Sequence, residues 1–590
     1  MSFRSTNHNL SPAFPGRAPW GTAEKLRAWQ TEALALYQEK SARDFLAVAT
    51  PGAGKTTFAL RVARDLLDAH IVRAVTIVAP TEHLKVQWAQ AAQRVGIHID
   101  PEFRNADGKT ARGFGGVAVT YAGVSAHPIL HRNRTQARPT LVILDEVHHA
   151  GDSRSWGEAL VEAFEPARRR LSLTGTPFRS DVNPIPFVTY APGPDGIPRS
   201  VADHTYGYGE ALADAVVRPV VFLAYAGQMR WRTRAGDELA ATLGEPLTND
   251  LTNQAWRTAL DAGGDWIPAV LQAADRRLTE VRRHIPDAGA MVIATDQNAA
   301  RAYARLLHEQ TGSPPTVVLS DDAGAGARIT AFAEGDQRWL VAVRMVSEGV
   351  DIPRLAVGVY ATNASTPLFF AQAVGRFVRA RRRGEIASVF VPTVAPLLSL
   401  AAELERTRDH VLGKPAAAEG EDLFAPEEAL LAEANAAKDS ADLMGEFTAL
   451  GSAATFDRVM YGGAEFGLPA EVGSREEQDY LGLPGLLDAD QITELLRRRQ
   501  ASQLRSASRR AKGAPVPEPA ERRPVATHAQ RSALRRELHT LVGALAHKSG
   551  ASHATIHMEL RRETGGPATA AAGVDDLRRR VDSLRRRLSS

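Results

Sequence analysis

The chain has 590 residues, 44% of them apolar and 24% charged, which is too long for one hydrophobic core and points to roughly three or four domains. It contains no cysteine, which excludes disulfides, iron–sulfur clusters and cysteine zinc sites. The net charge of +3 hides an asymmetry: residues 415–490 hold three basic and 17 acidic side chains, and residues 491–590 hold 21 basic and nine acidic.

Arginine outnumbers lysine about sevenfold, a bias that GC-rich coding also produces, so the basic tail is discounted as evidence for a polyanion. No apolar run reaches the ~18 residues that a membrane helix needs. The most apolar stretch, Ala215 to Ala226, is broken by Arg218 and Pro219, and no membrane partner is expected. Residues 1–21 read as a flexible arm without the apolar segment of a secretory signal, so a cytoplasmic location is expected.

Over residues 22–180, short β-branched runs at 45–49, 74–79, 116–120, 140–144 and 170–174 alternate with stretches of helical period. Such runs suit strands buried on both faces, and each leads through a loop to a helix. This grammar predicts a doubly wound α/β domain on a parallel sheet. The first run ends in Thr50-Pro51-Gly52-Ala53-Gly54-Lys55-Thr56-Thr57, followed by an amphipathic helix. Gly52 and Gly54 let the backbone curl its amides around phosphate oxygens at the positive end of that helix. Lys55 supplies a point charge to the β and γ phosphates, and the Thr56 hydroxyl is a magnesium ligand. A glycine-rich turn that binds nothing is the plain alternative, and the flanking strand and helix argue against it. The run at 140–144 leads into Asp145-Glu146-Val147-His148, which puts two carboxylates where α/β sheets bind ligands. Asp145 suits magnesium held through water, and Glu146 suits orienting and deprotonating an attacking water.

Residues 181–285, rich in proline and glycine and carrying Trp231, Trp256 and Trp266, read as an insertion and inter-domain linker. The strand grammar returns over 286–410, predicting a second α/β domain. There Gln372, Arg376 and Arg379 are spaced i, i+4 and i+7, one face of a predicted helix turned toward a cleft. Arginine is suited to spreading phosphoryl charge, whereas Arg381, Arg382 and Arg383 fit a solvated basic face. Residues 411–508 read as an acidic helical region, 509–526 as a Pro/Arg-rich linker and 527–590 as a basic helical domain. That last unit fits either a helix-turn-helix or a plain helical hairpin, and a protein partner is one expected use of it. His547, His553 and His557 lack a further metal ligand and read as solvated.

TPGAGKT at 50–56, DEVHH at 145–149, TGTPFR at 174–179 and QAVGRFVRA at 372–380 stand in the order of motifs I, II, III and VI of superfamily two helicases. The chain resembles that group over residues 22–395, and within it the bacterial relatives of XPB, UvsW and RadD and the type III restriction helicase subunits. The resemblance implies two tandem RecA-like domains, ATP and Mg2+ as cofactors, and nucleic acid as partner, DNA favoured over RNA. It assigns Arg27 and Gln30 to the adenine base, and Arg376 and Arg379 to arginine fingers beside Gln372 at the γ-phosphate. Pro80, Thr81, Thr120, Tyr121, Thr295 and Ser347 take the nucleic-acid backbone, and Gly349 and Asp351 the ribose or a coupling water. His148, Thr174 and Thr176 couple the two sites. An ATP-dependent helicase or translocase of DNA repair, recombination or restriction is expected. Duplex translocation without strand separation, RNA unwinding and a nucleotide-gated binding scaffold stay open.

Overall fold

The computed structural model describes residues 25–148, 154–175, 184–192, 198–233, 238–245, 247–319, 324–343, 352–382, 384–402, 447–513, 553–565 and 574–589, with 404, 538, 541, 542 and 545. The five expected strand runs of the first domain form β1 (Asp44–Ala49), β2 (Ala74–Ala79), β4 (Gly116–Thr120), β5 (Thr140–Leu144) and β6 (Arg169–Thr174), and a two-residue strand that was not expected, β3 (Ile99–Asp100), lies between β2 and β4 in the chain. After the antiparallel hairpin of β7 (Thr189–Pro192) and β8 (Pro198–Val201) comes β9 (His204–Tyr206). The sheet order is β3-β4-β2-β5-β6-β1-β9, with parallel pairings throughout.

Successive residues of one strand serve opposite cores, which is why the runs carry no polar alternation. Phe45, Ala47, Leu141 and Ile143 pack with Phe58 and Trp88, whereas Leu46, Val48, Val142 and Leu144 pack with Leu160 and Phe164. Parallel strands also bring the C-terminal ends of β1, β2, β4 and β5 to one edge, and the phosphate loop and acidic motif meet there.

The second sheet contains β10 (Val220–Thr233), β11 (Glu238–Leu243), β12 (Gly289–Ala294), β13 (Thr316–Val318), β14 (Trp339–Val343), β15 (Leu355–Ala361), β16 (Ala387–Pro392), β17 (Phe447–Tyr461), β18 (Ala464–Phe466) and β19 (Ala470–Glu471). Its path is β13-β14-β12-β15-β16-β10-β17-β18, with β11 on β10 and β19 on β17. The part from β13 to β10 is parallel and RecA-like, but β17 runs antiparallel to β10, so the whole sheet is mixed.

Two expectations are corrected here. The presumed insertion and linker at 181–285 supplies β9 to the first sheet and β10 to the second. The acidic region expected to be helical contains a 15-residue strand, β17, although it also carries the helices Arg475–Leu481 and Ala489–Gly513. Both strands follow a period of two that their composition hides. In β10, Met229 and Trp231 are buried between exposed Gln228, Arg230 and Arg232, and in β17 small residues such as Ala453 and Ala454 give the alternation little hydropathic contrast.

The C-terminal helices His553–Thr564 and Val574–Ser589 share a separate core of Leu538, Val542, Leu545, Ile556, Leu560, Leu577, Val581 and Leu584. The arm 1–21, the linker segment 514–526 and the turn at 549–552 lie outside the described residues, so the choice between helix-turn-helix and hairpin does too. No helix among the described residues is long and apolar enough to cross a membrane.

The antiparallel extension is bolted to the parallel sheet by Arg277, on the helix Trp266–Arg282. Its buried guanidinium donates to Ser388 Oγ at 2.9 Å, to the Leu481 carbonyl at 3.2 Å and to the Leu483 carbonyl. Arg277→Ala strands two buried carbonyls and should cost about 2–4 kcal/mol, read as a lower urea midpoint. An unchanged midpoint would show that residues 481–483 dock without it.

Candidate nucleotide site between the two sheets

β1 ends at Ala49, and the loop Thr50–Gly54 turns into the helix Lys55–Asp68. Gly52 and Gly54 have φ of 81° and 95°, a region that side chains with a Cβ rarely adopt. A Cβ on Gly54 would also stand 2.7 Å from the Gln30 amide nitrogen. The carbonyls of this loop are held from outside. Arg27 Nη1 donates to Gly52 O at 2.9 Å and Ala53 O at 2.5 Å, Trp29 Nε1 to Ala53 O at 3.1 Å, and Gln30 Nε2 to Gly54 O at 2.8 Å. C=O and N–H point opposite ways in a trans peptide, so holding the carbonyls outward turns the following amides to the concave side. Gln30, expected at the adenine edge, is 1% exposed, with its carbonyl oxygen accepting from the Arg27 N–H at 2.8 Å. Its amide is engaged in bracing the phosphate loop. Thr50 at the loop entrance donates its N–H to Tyr206 O of β9 at 3.0 Å, and the Trp29 ring stacks on Tyr206.

The acidic end of β5 is equally constrained. Trp88 Nε1 donates to Asp145 Oδ2 at 2.7 Å, and Tyr121 donates its hydroxyl to the Asp145 carbonyl at 2.8 Å. Glu146 sits at φ 48°, a strained conformation for a residue with a Cβ. Its Oε1 accepts from Lys55 Nζ at 2.9 Å and its Oε2 from the Gly175 N–H at 2.9 Å. Burial, reinforced by the neighbouring Glu146 charge, pushes Asp145 above the ordinary carboxyl range. Burial acts to raise Glu146 as well, but the Lys55 ammonium, His148 and the Gly175 N–H outweigh it and hold that carboxyl ionised. Thr56 follows Lys55 in the first turn of the helix. A hydroxyl, a carboxylate oxygen and phosphate oxygens together form a donor set that fits Mg2+, which keeps several waters rather than demanding an all-protein cage.

The second sheet reaches this site through the helix Pro367–Val374. Gln372 Nε2 lies 3.3 Å from His148 Nε2, and His148 Nδ1 lies 2.9 Å from Thr174 Oγ1. With the amide donating, Nε2 accepts and the Nδ1 proton goes to Thr174. Arg376 and Arg379 do not continue the helix face as expected, because the helix stops at Val374 and Gly375 begins a turn. Packing explains the stop. A Cβ on Gly375 would lie 2.9 Å from both Pro51 Cγ and the Ala371 carbonyl, and one on Gly52 would lie 3.1 Å from Arg379 Cγ. The turn thus sits directly on the phosphate loop. Arg381 is not a solvated basic face either: it pairs with Asp287 Oδ1 at 3.1 Å and with Glu385 Oε1 at 3.5 Å.

The expected nucleic-acid residues divide. Thr81 and Thr120 follow β2 and β4 and spend their hydroxyls capping helices, on Leu84 N at 3.3 Å and Gly123 N at 3.1 Å. Half-buried Pro80 lies beside Thr81 on the same sheet edge. Tyr121 is only 1% exposed and points inward, so it supports Asp145 and cannot meet a strand. At the end of β12, Thr295 donates to Ala361 O at 3.4 Å, and Asp296 is the residue that caps the next helix. Thr176, Ser347, Gly349 and Asp351 lie outside the described residues, as does His149. Trp88 and Trp29 escaped the sequence reading. Their indole donors were legible only as buried aromatics with an N–H to satisfy. Gly375→Ala is expected to push the arginine-bearing turn off Pro51 and reduce ATP turnover about tenfold or more with an unchanged circular dichroism spectrum. Wild-type turnover would show that this contact is dispensable.

Residues 23–179 match the family model for the type III restriction enzyme res subunit. An uncharacterized protein of Mycobacterium tuberculosis is 58% identical over 560 residues, covering 95% of this chain and 92% of that protein. The DNA 3'-5' translocase XPB2 of Sulfurisphaera tokodaii is 24% identical over 372 residues, covering 60% of this chain and 79% of that one. Among solved structures, the ATP-dependent type ISP restriction-modification enzyme LlaBIII bound to DNA aligns with a TM-score of 0.44 at 12% identity, covering 92% of this chain and 36% of that chain. The chain belongs to the family of the mycobacterial protein, within the superfamily two helicase group.

Proposed function

We propose that this protein is an ATP-hydrolysing motor that travels along nucleic acid, with DNA as its track. One observation carries the reading: Gln372 of the second sheet meets His148 of the acidic motif, while the turn after Gly375 rests on Pro51 of the phosphate loop. A γ-phosphate held by Lys55 would therefore be bounded by residues of both sheets, so that hydrolysis and the relative position of the sheets are linked.

In this proposal the amides of residues 52–56 and the Lys55 ammonium take the phosphates, and Thr56 and Asp145 hold Mg2+. Mg2+ held by these two residues would neutralise phosphate charge. Lys55 is committed to Glu146 in the structure. Moving Lys55 to a phosphate withdraws the main charge that keeps Glu146 acidic, so the carboxylate becomes a stronger base when an attacking water needs one. The Oε2 bond to Gly175 and the neighbouring His148 keep the carboxylate in place meanwhile. Arg376 and Arg379 take charge developing on the phosphoryl oxygens. The line Gln372–His148–Thr174 carries the state of the cleft into the end of β6.

Thr81, Thr120 and Thr295 at the ends of β2, β4 and β12 mark where a strand's phosphates would lie, a contact that predicts little sequence preference and strong salt dependence. The DNA-translocase relative and the restriction-subunit match support DNA over RNA. A binding scaffold with little turnover is disfavoured, because Lys55, Glu146, Arg376 and Arg379 are all present. Steady-state ATPase titrated with single-stranded, duplex and forked DNA and with RNA tests the reading. Turnover should rise with DNA, and Lys55→Ala or Glu146→Gln should lower it by about 100-fold or more. Equal rates with and without every nucleic acid would overturn it. Strand-displacement and triplex-displacement assays then separate unwinding from duplex translocation.

A further inference from the structure

We infer that Arg218, in the connection between the two sheets, is a positioning residue for the arginine-bearing turn, so that the geometry of the connection sets where Arg376 and Arg379 stand. The inference rests on the motor reading above and adds the element that would pass domain movement to the fingers.

The chain leaves the first sheet at β9, forms the helix Tyr208–Ala213, and enters the second sheet at β10 six residues later. Arg218 falls in that short connection and is 1% exposed. Its Nε donates to Phe377 O at 2.6 Å, and its backbone N–H donates to Val378 O at 2.7 Å. These two consecutive carbonyls lie between Arg376 and Arg379. Val217 completes the contact with an isolated antiparallel bridge to Arg379. The Arg376 and Phe377 N–H groups bond back to the Ala373 and Val374 carbonyls, but beyond Phe377 the turn has no helix or sheet ladder, and the bonds from Arg218 and Val217 hold its carbonyl side.

The guanidinium is itself held. Its Nη1 lies 3.4 Å from Oε2 of fully buried Glu385, whose Oε2 also accepts the Arg381 N–H at 2.8 Å, and Arg381 leads on to Asp287. On its other side the Tyr208 hydroxyl donates to Arg218 O at 3.0 Å and accepts from Val220 N at 3.1 Å, tying the connection to the helix that follows β9. Arg218 thus touches a helix continuous with the first sheet through Tyr208 and the finger turn through Phe377 and Val378. If filling space were its only role, an apolar side chain would do so without the desolvation penalty of a buried ion pair. The planar fork of donors is what serves a carbonyl and a carboxylate in different directions, and an ammonium cannot reproduce it. Misplacing a catalytic group by about 1 Å costs on the order of 100-fold in rate, so a small shift of Phe377 and Val378 is enough to matter.

The test uses the full chain with saturating DNA and compares wild type, Arg218→Lys, Glu385→Gln, Arg376→Ala and the Arg218→Lys/Arg376→Ala double variant. Turnover is measured together with affinity for a fluorescent non-hydrolysable ATP analogue and thermal unfolding. Arg218→Lys should lower kcat ~30-fold while analogue affinity stays within ~3-fold and the unfolding midpoint holds. Glu385→Gln keeps one acceptor oxygen for Arg218 Nη1 and the Arg381 N–H but removes the charge, and it should act in the same direction more weakly, which preserves a reading if the lysine variant unfolds. Adding Arg376→Ala to Arg218→Lys should cost little beyond Arg376→Ala alone, because the two act through one group. Wild-type kcat in both Arg218→Lys and Glu385→Gln, losses that multiply with Arg376→Ala, or kcat falling only in step with stability would each overturn the assignment. Loss of DNA-stimulated turnover in wild type itself would instead sink the motor reading on which it rests.

Discussion

The ion pair between Lys55 and Glu146 is the interaction on which the rest of the site depends. Lys55 opens a helix, Glu146 closes a strand, and the two are 2.9 Å apart only because β1 and β5 end at the same edge of one parallel sheet. Glu146 reaches the lysine at the cost of a left-handed backbone conformation, and Gly175 supplies an N–H to its other oxygen. Three segments far apart in the chain are thereby committed to one charge-neutral unit. A phosphate would compete for that lysine, and in the proposed function nucleotide binding and the basicity of Glu146 are coupled through the same ammonium.

Close packing around the phosphate loop sets where only small residues fit. Pro51 is touched from above by the Gly375 turn, and a Cβ on Gly175 would approach both Pro51 and the Lys55 ammonium. Small residues stand where three backbones converge, and large hydrogen-bonding side chains stand behind them. Trp29, Arg27 and Gln30 pull the loop carbonyls outward, and Trp88 fixes one oxygen of Asp145. The bonds are local, but the result is a concave row of amides beside a carboxylate whose orientation is fixed.

The second sheet is more than a copy of the first. Its parallel half carries the helix of Gln372, and its antiparallel half, built from β10, β11, β17, β18 and β19, extends the same sheet with segments on both sides of the second motor domain. Buried arginines bind the pieces. Arg277 holds residues 481–483 against β16, Arg354 donates to the carbonyls of Phe332, Asp287 and Gln337, and Arg218 joins the connection to the turn after Val374. In each case a buried guanidinium serves acceptors that point in different directions: carbonyls and a hydroxyl for Arg277, three carbonyls for Arg354, and a carbonyl and a carboxylate for Arg218.

Much of this was legible from residue order alone. Uniformly apolar runs ending in TPGAGKT and DEVH required a parallel sheet buried on both faces, with a phosphate loop and paired carboxylates at one edge, because that arrangement satisfies burial and charge together. The spacing of Gln372, Arg376 and Arg379 pointed to the segment that packs on the loop at Pro51, but their shared helix face did not survive: the helix ends at Val374, and the close approach of Pro51 leaves no room for a Cβ at Gly375. β17 escaped notice because small residues mute its alternation, and its pairing partner lies more than 200 positions away. The inward turn of Tyr121, the engagement of Gln30 with Gly54 and the place of Arg218 behind the fingers depend on which distant backbone atoms a side chain meets. Local pattern determines which groups must be buried or charged; only the packed chain decides which donor finds which acceptor, since that is set by long-range geometry.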